Sequence, residues 1–467
     1  MNILLTTIPV EEKDTYSAYA FAAPRMPPLG LAYVAGVLEK DGHKVKILDC
    51  VMDKITTDNV IAIINEFKPE IVGLSSSIIT YNKAKATIKA IKSAFPNIRT
   101  VFGGPHISMF KDKVLADVPE LDIGVYGEGE RTFQELANGK APPLVLGAIY
   151  RDSAGKIVVN PPQPQIKNLD ELPLPARHLL PDIKRYSHTP LRSMKGIMVS
   201  MVTSRGCPLG CKYCDQATFS GFRGHSPDYI FKEIDSIGED IAFISFEDDN
   251  FGFDKVRLKD FCAEKINRGY KFKWGCSMRL EWIDNETAAL MKKSGCATLY
   301  FGIESGNQDM IYYVNRRMTL SLIREKLQIV KKHRIQAYGS FIIGLPKDTR
   351  ETMEQTVKFA MSLPLDGASF NIYTPYPNTT LREEAKKYGS VSDNWDDYSD
   401  HAPHTPFLLN GITENELLDI QKNAYRRFYM RPKYILMHID KVLNADFVKK
   451  SLAAMKVFIA KPGPAAA

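Results

Sequence analysis

The sequence lacks any long uncharged apolar run. The longest near its start, Met26 to Leu38, holds thirteen residues and opens with two prolines. Crossing a bilayer takes roughly 20 residues, so no transmembrane helix is expected. The start, Met1-Asn2-Ile3-Leu4-Leu5, carries no basic stretch and soon meets Glu11 and Glu12, so no secretory signal is expected either. Cysteine is sparse: seven in 467 residues, an odd number that suits reduced thiols in the cytoplasm. Charge of one sign is nowhere concentrated. The 61 basic and 54 acidic residues leave +7, scattered along the chain, so no nucleic-acid partner is expected. What is present is ordinary globular material, 44% hydrophobic and 25% charged. That excludes collagen-like, low-complexity and wholly disordered chains and predicts about three domains.

Residues 1–150 alternate strand and helix patterns. Ile3-Leu4-Leu5, the stretch around Val45 and Ile47, Ile71 to Leu74, Val101-Phe102 and Ile123 to Tyr126 read as buried strands. Leu29 to Lys40, Ile61 to Phe67 and the spacing of Ala84, Ile88, Ile91 and Phe95 read as helices. Short continuous apolar strands between helices imply a parallel sheet covered on both faces, with ligands at the carboxyl ends of its strands. The loops at those ends are Ser75-Ser76-Ser77, Gly103-Gly104-Pro105-His106 and Gly127-Glu128-Gly129-Glu130. Small residues at three successive strand ends let a large flat ligand approach the backbone. A proline-rich linker, 151–195, follows; its leucines give it something to bury, so it should lie over the surface. From 196 to 400 a second alternation begins at Ile197. Its further strands are Ile241 to Phe246, Lys271 to Cys276, Thr298 to Ile303, Tyr338 to Ile343 and Ala368 to Ile372. Six strands are two short of an eight-fold barrel and predict an open one. Residues 401–467 read as helical, Glu414 to Phe428 and Pro432 to Leu452, with a frayed end from Pro462 to Ala467.

The residues that carry chemistry follow the first strand of that second region: Cys207-Pro208-Leu209-Gly210-Cys211-Lys212-Tyr213-Cys214. Three thiolates on one short loop can each ligate an iron of a cubane cluster and leave a fourth iron open to a small molecule. Structural zinc would take a second cysteine pair, which the chain lacks, and a redox C-x-x-C would not need the third cysteine.

This spacing resembles the radical S-adenosylmethionine (SAM) superfamily, and the resemblance extends over nearly the whole chain. It implies a 4Fe-4S cluster on Cys207, Cys211 and Cys214 whose open iron chelates SAM. One electron then cleaves SAM to methionine and a 5′-deoxyadenosyl radical. Tyr213 matches the aromatic found before the last cysteine. Phe246-Glu247-Asp248-Asp249-Asn250-Phe251 resembles the family's D-D-N-F segment, Ser277-Met278-Arg279 ends the third strand, and Gly302-Ile303-Glu304-Ser305-Gly306 resembles its G-x-E-S-G turn. By that resemblance Tyr213, Asp248, Asp249, Arg279, Glu304, Ser305 and Gly306 bind SAM. Tyr376, in the loop after the sixth strand, is the candidate catalytic residue.

The N-terminal region, in the same light, resembles the Rossmann-like cobalamin-binding domain fused to one radical SAM subclass. Cobalamin would meet Ser75, Ser76, Ser77, Gly103, Gly104, His106, Gly127, Glu128 and Gly129. The D-x-H-x-x-G motif that supplies cobalt's lower histidine elsewhere is missing. Asp41-Gly42-His43 is a partial lookalike ahead of the wrong strand, so base-off cobalamin without a histidine ligand is implied. The fold class expected is α/β: that domain, a partial (β/α)6 radical SAM barrel and a C-terminal helical segment.

The function implied is cobalamin-dependent methylation of an unactivated carbon of a small-molecule or lipid-like substrate. The alternative is a cyclase, dehydratase or rearrangement with the same layout, as in the anaerobic magnesium-protoporphyrin ester cyclase. A non-catalytic carrier would not need the SAM-binding turns. An external one-electron donor such as flavodoxin or ferredoxin is implied. The C-terminal stretch Tyr425 to Tyr434 mixes bases and aromatics. It reads first as a helix covering the barrel, and second as a peripheral membrane contact of an otherwise cytoplasmic protein.

Overall fold

The computed structural model describes residues 1–11, 25–186, 196–215, 221–238, 240–398 and 404–437. Among them two large sheets carry the architecture. The first has the order β2-β1-β3-β4-β5-β6-β7, from β1 (Asn2–Thr7), β2 (Lys44–Leu48), β3 (Ile71–Ser75), β4 (Arg99–Gly103), β5 (Ile123–Val125), β6 (Ala148–Arg151) and β7 (Ile157–Val159). The first five strands run parallel and the β6–β7 hairpin antiparallel.

Successive residues of β1 serve opposite faces. Ile3 and Leu5 join Val45, Ile47 and Ile123 beneath helices Leu29–Lys40 and Gly129–Ala137. Leu4 joins Val72, Leu74 and Phe102 beneath helices Thr57–Phe67 and Tyr81–Ala94. Strands buried on both faces read as unbroken apolar runs, and each such side chain contributes about 1.5–3 kcal/mol by burial. The order reverses between β1 and β3, a switch point that opens a crevice at the carboxyl edge.

The sheet does not stop at residue 150, as the sequence pattern suggested: the hairpin carries it to Val159, with strands of four and three residues that are too short a signal for periodicity to find. The proline-rich stretch is laid on the helix Leu29–Lys40. Ile166, Leu169 and Leu172 bury against Tyr33 and Val37, and Ala176 N donates to Ala32 O at 2.9 Å.

The second sheet is parallel throughout and follows chain order: β8 (Ile197–Met201), β11 (Ile241–Phe246), β12 (Lys273–Ser277), β13 (Cys296–Glu304), β14 (Gln336–Ile343) and β15 (Gly367–Ile372). Between β8 and β11 lies a short ladder of β9 (Ser204–Arg205) with β10 (Arg223–Gly224). The sheet has open edges, as six strands predicted. Helix Glu414–Tyr429 covers the β15 edge with side chains. Phe370 N donates to Tyr425 Oη at 3.1 Å, Gln421 Nε2 to Phe370 O at 2.7 Å, and Tyr429 Oη to Ala368 O at 2.8 Å. An edge strand's unpaired backbone groups are satisfied this way.

The bases of this helical stretch are engaged too. Arg427 pairs with Glu354 at 2.7 Å, and Arg431 donates to Met361 O and Leu365 O. The helix that begins at Pro432 is described to Met437; its expected continuation to Leu452 and the frayed end lie outside the described residues. No helix among the described residues is long and apolar enough to cross a membrane.

Candidate functional site

The cysteine loop leaves the barrel at the carboxyl end of β8, where Gly206 and Gly210 take the left-handed backbone at φ +81° and +58°. Neighbours fix its course. Asn315 Nδ2 donates to Gly210 O at 2.8 Å, Lys212 N to Val314 O at 3.3 Å and Leu381 N to Lys212 O at 3.0 Å. Cys207, Cys211 and Cys214 are half-buried and in no disulfide, whereas Cys50, Cys262, Cys276 and Cys296 are buried. Burial pushes the Cys50 and Cys262 thiols up to about 11, so these are inert core groups. Among the described residues no three Cys, His, Asp or Glu side chains are grouped to hold one metal ion. A cubane takes one thiolate per iron, and the three cysteines of this loop offer that donor set.

Behind the loop lies a buried charged network. Tyr213 Oη donates to Glu304 Oε1 at 2.7 Å. Arg316 Nη2 stands 3.4 Å from the same oxygen and also donates to Gly302 O. Arg279 Nη1 lies 3.5 Å and Arg316 Nη1 4.0 Å from Cys211 Sγ, and Arg279 pairs with Glu281 at 2.5 Å. Glu304 sits in the left-handed region at φ +68°, beside a register shift between Gly302 and Glu304 in the β13–β14 ladder. A non-glycine residue held there costs on the order of 1–3 kcal/mol, and such strain clusters at functional sites. Gly302 is glycine because a Cβ would meet the Glu304 carboxylate and the Arg316 guanidinium.

A cavity of about 330 Å³ lies between the carboxyl edges of the two sheets. Its first wall is largely small or apolar, with Gly30, Leu74, Ser75, Gly103, Gly104, Val125, Gly127 and Gly129 beside Tyr33, Glu128 and Glu130. Its second wall comes from the barrel: Val202, Ser204, Arg205, Gly206, Glu247 and Asp249. Cβ atoms built on Gly30 and Gly127 would meet nothing within 4 Å. Those side-chain volumes are left open at the cradle, as a large flat ligand requires. Gly104 has another reason: at φ +98° a Cβ would stand 2.7 Å from Ser76 O. Asp249 is pushed up to about 6 by burial and then by Asp248 and Asp215.

Ion pairs hold the two walls together. Arg205 reaches Glu130 at 2.6 Å and Glu128 at 3.4 Å, and Arg223 reaches Glu128 at 2.7 Å. Arg205 also lies over the Tyr33 ring, 5.4 Å from its centroid.

Ser75, Gly103, Gly104, Gly127, Gly129 and Asp249 thus lie on the cavity, and Tyr213, Arg279 and Glu304 converge behind Cys211. The other expected residues are engaged within the protein. Glu128 borders the cavity, but its carboxylate is taken by Arg223, Arg205 and the Ile166 amide at 2.9 Å. The Asp248 carboxylate is fully buried and accepts from Thr203 N, Thr203 Oγ1 and Ser204 Oγ at 2.6–2.7 Å, so it braces the loop stem. Ser76 Oγ is bonded to Thr80 Oγ1 at 2.8 Å, and Ser77 N donates to the same hydroxyl. Ser305 and Gly306 pack on helix Arg350–Ser362 through Thr356 Oγ1, 3.0 Å from both, too close for any Cβ on Gly306. His106 is not among the residues lining the cavity. Its ring stacks on Tyr81 at 3.7 Å and packs against Phe110 and Trp395. Tyr376 is half-buried, 6.4 Å from Tyr398, and off the cavity wall. Arg205 and Arg316 escaped the sequence reading, and Glu130 entered it only as the end of a ligand-site loop. Arg205 stands two residues before Cys207, a usable signal; nothing in the spacing marks Arg316.

Two family models match the chain, the B12 binding domain over residues 20–137 and the radical SAM superfamily over 201–360. An uncharacterized methyltransferase of Pyrococcus horikoshii is 34% identical over 449 residues, covering 94% of this chain and 95% of that protein. The anaerobic magnesium-protoporphyrin IX monomethyl ester cyclase of Rubrivivax gelatinosus is 29% identical, covering 95% and 80%. Among solved structures, the cobalamin-dependent S-adenosylmethionine radical enzyme OxsB with aqua-cobalamin bound superposes with a TM-score of 0.74 at 17% identity. That match covers 98% of this chain and 71% of OxsB and speaks for the fold. The chain belongs to the radical SAM superfamily and carries a B12 binding domain ahead of the radical SAM barrel.

Proposed function

We propose that this radical SAM protein is a cobalamin-dependent methyltransferase acting on an unactivated carbon of a small-molecule or lipid-like substrate. The observation that carries the reading is the shared cavity: a glycine wall from one sheet faces the stem of the cysteine loop, with Gly206 on its lining and Cys207 next in the chain. When bound, the 4Fe-4S cluster supplies the electron that cleaves SAM to a 5′-deoxyadenosyl radical, and cobalamin supplies methyl transfer.

The chain's own residues do the rest. Cys207, Cys211 and Cys214 would hold the cluster, and Tyr213, Arg279 and Glu304 would bind SAM beside it. Ser75, Gly103, Gly104, Gly127 and Gly129 would let cobalamin lie on backbone. No histidine is offered from that wall, and the His106 ring is locked among aromatics, which suits a base-off cofactor. The Arg205 and Arg223 pairs hold the two walls at one separation, so a methyl donor and a radical source would face a single substrate position. Tyr376 keeps a substrate-side role. A one-electron donor of the flavodoxin or ferredoxin class completes the partners. The setting proposed is cytoplasmic, with peripheral membrane contact for a lipid-like substrate through exposed Met430, Ile435 and Leu436.

The likeness to a cyclase favours one alternative: the same radical chemistry without methyl transfer. Anaerobic reconstitution with iron, sulfide and cobalamin, followed by reduction in the presence of methyl-deuterated SAM, separates the two. A cubane-type absorbance, a cobalamin spectrum and 5′-deoxyadenosine are expected from the methyltransferase. Cleavage of SAM without any affinity for cobalamin would move the reading to the alternative, and no cleavage at all would sink both.

A further inference from the structure

The three cysteines of the loop do not stand in equivalent surroundings. Cys207 directly follows Gly206, which lines the cavity. Cys211 instead has two guanidinium groups directed at its sulfur, Arg279 Nη1 at 3.5 Å and Arg316 Nη1 at 4.0 Å. Both arginines are more than nine-tenths buried. Arg279 is neutralised locally by Glu281. Arg316 meets Glu304 at 3.4 Å, but Tyr213 Oη holds the same carboxylate oxygen at 2.7 Å and takes part of its charge. Arg316 Nε is buried and has no hydrogen-bond partner. The side chain is therefore incompletely satisfied by protein, at a place where a buried N–H normally finds a partner.

We propose that Arg316 is a positioning residue for the iron–sulfur cluster. Acting through Cys211, it makes the cluster easier to reduce, and Glu304 sets how much of its charge is felt. The proposal rests on the cysteine loop being the cluster site. Reduction adds one electron from a one-electron donor, which is itself oxidised by one, so the reduced cluster carries one more negative charge. An N–H directed at a ligating sulfur and a nearby cation both favour that form. In a buried site their effect is larger than in water. Glu304 works in the opposite direction, and its left-handed backbone keeps the carboxylate aimed at Arg316.

The test is an EPR-monitored redox titration of reconstituted protein without SAM, reading the midpoint potential and not turnover. In Arg316→Gln the ratio of reduced to oxidised cluster at a fixed potential is expected to fall at least tenfold, which is 59 mV for a one-electron couple. Arg316→Lys keeps the charge but loses the planar fork and should fall between. Glu304→Gln should move the potential upward, a direction that general loosening of the fold would not produce. Equal potentials in wild type and Arg316→Gln at matched iron content would overturn the proposal. If the glutamine variant loads no cluster, the lysine and Glu304 variants decide it, and unchanged potentials in both would overturn it equally. A wild-type protein that gathers no cubane cluster overturns the cluster reading along with this one. A clustered wild type with insensitive variants overturns this one alone.

Discussion

The two strand-end edges that meet at the cavity are built from opposite materials. The N-terminal sheet presents backbone at Gly30, Gly103, Gly104, Gly127 and Gly129. The barrel presents buried charge, with Asp248, Arg257, Arg279, Glu304 and Arg316 all nine-tenths or more buried. A wall of backbone meets its ligand by shape, and a side chain added there costs binding before it costs stability. A wall of charge must be satisfied whether or not a ligand is present, because a buried ion left without its partner is strongly destabilising. Substitutions on the two edges should therefore fail differently.

The largest effect expected is loss of a whole activity from one edge with the other intact. Cys211→Ala should abolish SAM cleavage while cobalamin still binds, read from 5′-deoxyadenosine formation and the bound cobalamin spectrum of one preparation. Loss of both together would mean that the edges are not independent. Next is the pair that joins them. Arg205→Ala leaves Glu130, about 94% buried at the side chain, without its cation, while Glu128 keeps Arg223. Breaking such a pair costs about 3–5 kcal/mol, to be measured by urea denaturation. A change under about 1 kcal/mol would place these pairs with ordinary surface ion pairs.

A third effect belongs to the backbone-walled sheet. His106 is held down to about 3, chiefly by burial; Asp117 pulls it up and Lys85 pushes it down. The folded value lies below the unfolded one of about 6.5. The unfolded chain therefore takes up a proton first as pH falls, and stability present above pH 6.5 is lost on the way to pH 3. The slope is about 1.4 kcal/mol per pH unit at most. His106→Phe keeps the stack on Tyr81 and should flatten the acid limb of a stability–pH curve. An unchanged limb would assign acid sensitivity to other groups.

The same contrast explains what could be read from the chain. Parallel strands buried on both faces are unbroken apolar runs, so Ile71 to Leu74 or Ile241 to Phe246 is legible without a structure. The loops were legible as positions, since glycines after three strands in register point to one edge. Their side chains were not. Asp248 and Glu128 look alike in sequence to Asp249 and Glu304, yet two serve as internal braces. Which carboxylate braces and which faces the cavity depends on Thr203, Ser204, Arg205 and Arg223, supplied by a two-strand ladder too short to give a periodic signal. Arg316 was hidden for a related reason: it follows the short helix Gln308–Tyr313 and reaches Cys211 across 105 residues.

The smallest effect gives the sharpest test of the comparison, because two glycines share one helix, Leu29–Lys40. Gly36 faces the strap that follows the first sheet, and a Cβ there would stand 2.6 Å from Leu174 O. Backbone that close cannot yield cheaply, so Gly36→Ala should destabilise the protein. Gly30 faces the cavity, and its Cβ would meet nothing within 4 Å. Alanine is the better helix former by up to about 1 kcal/mol, and less in the first turn. Gly30→Ala should therefore raise the unfolding midpoint of the cofactor-free protein slightly while weakening cobalamin binding. Stability and affinity moving in opposite directions is what a wall kept bare for a ligand requires. If instead Gly30→Ala left cobalamin affinity unchanged, the bare wall would not be kept for that ligand.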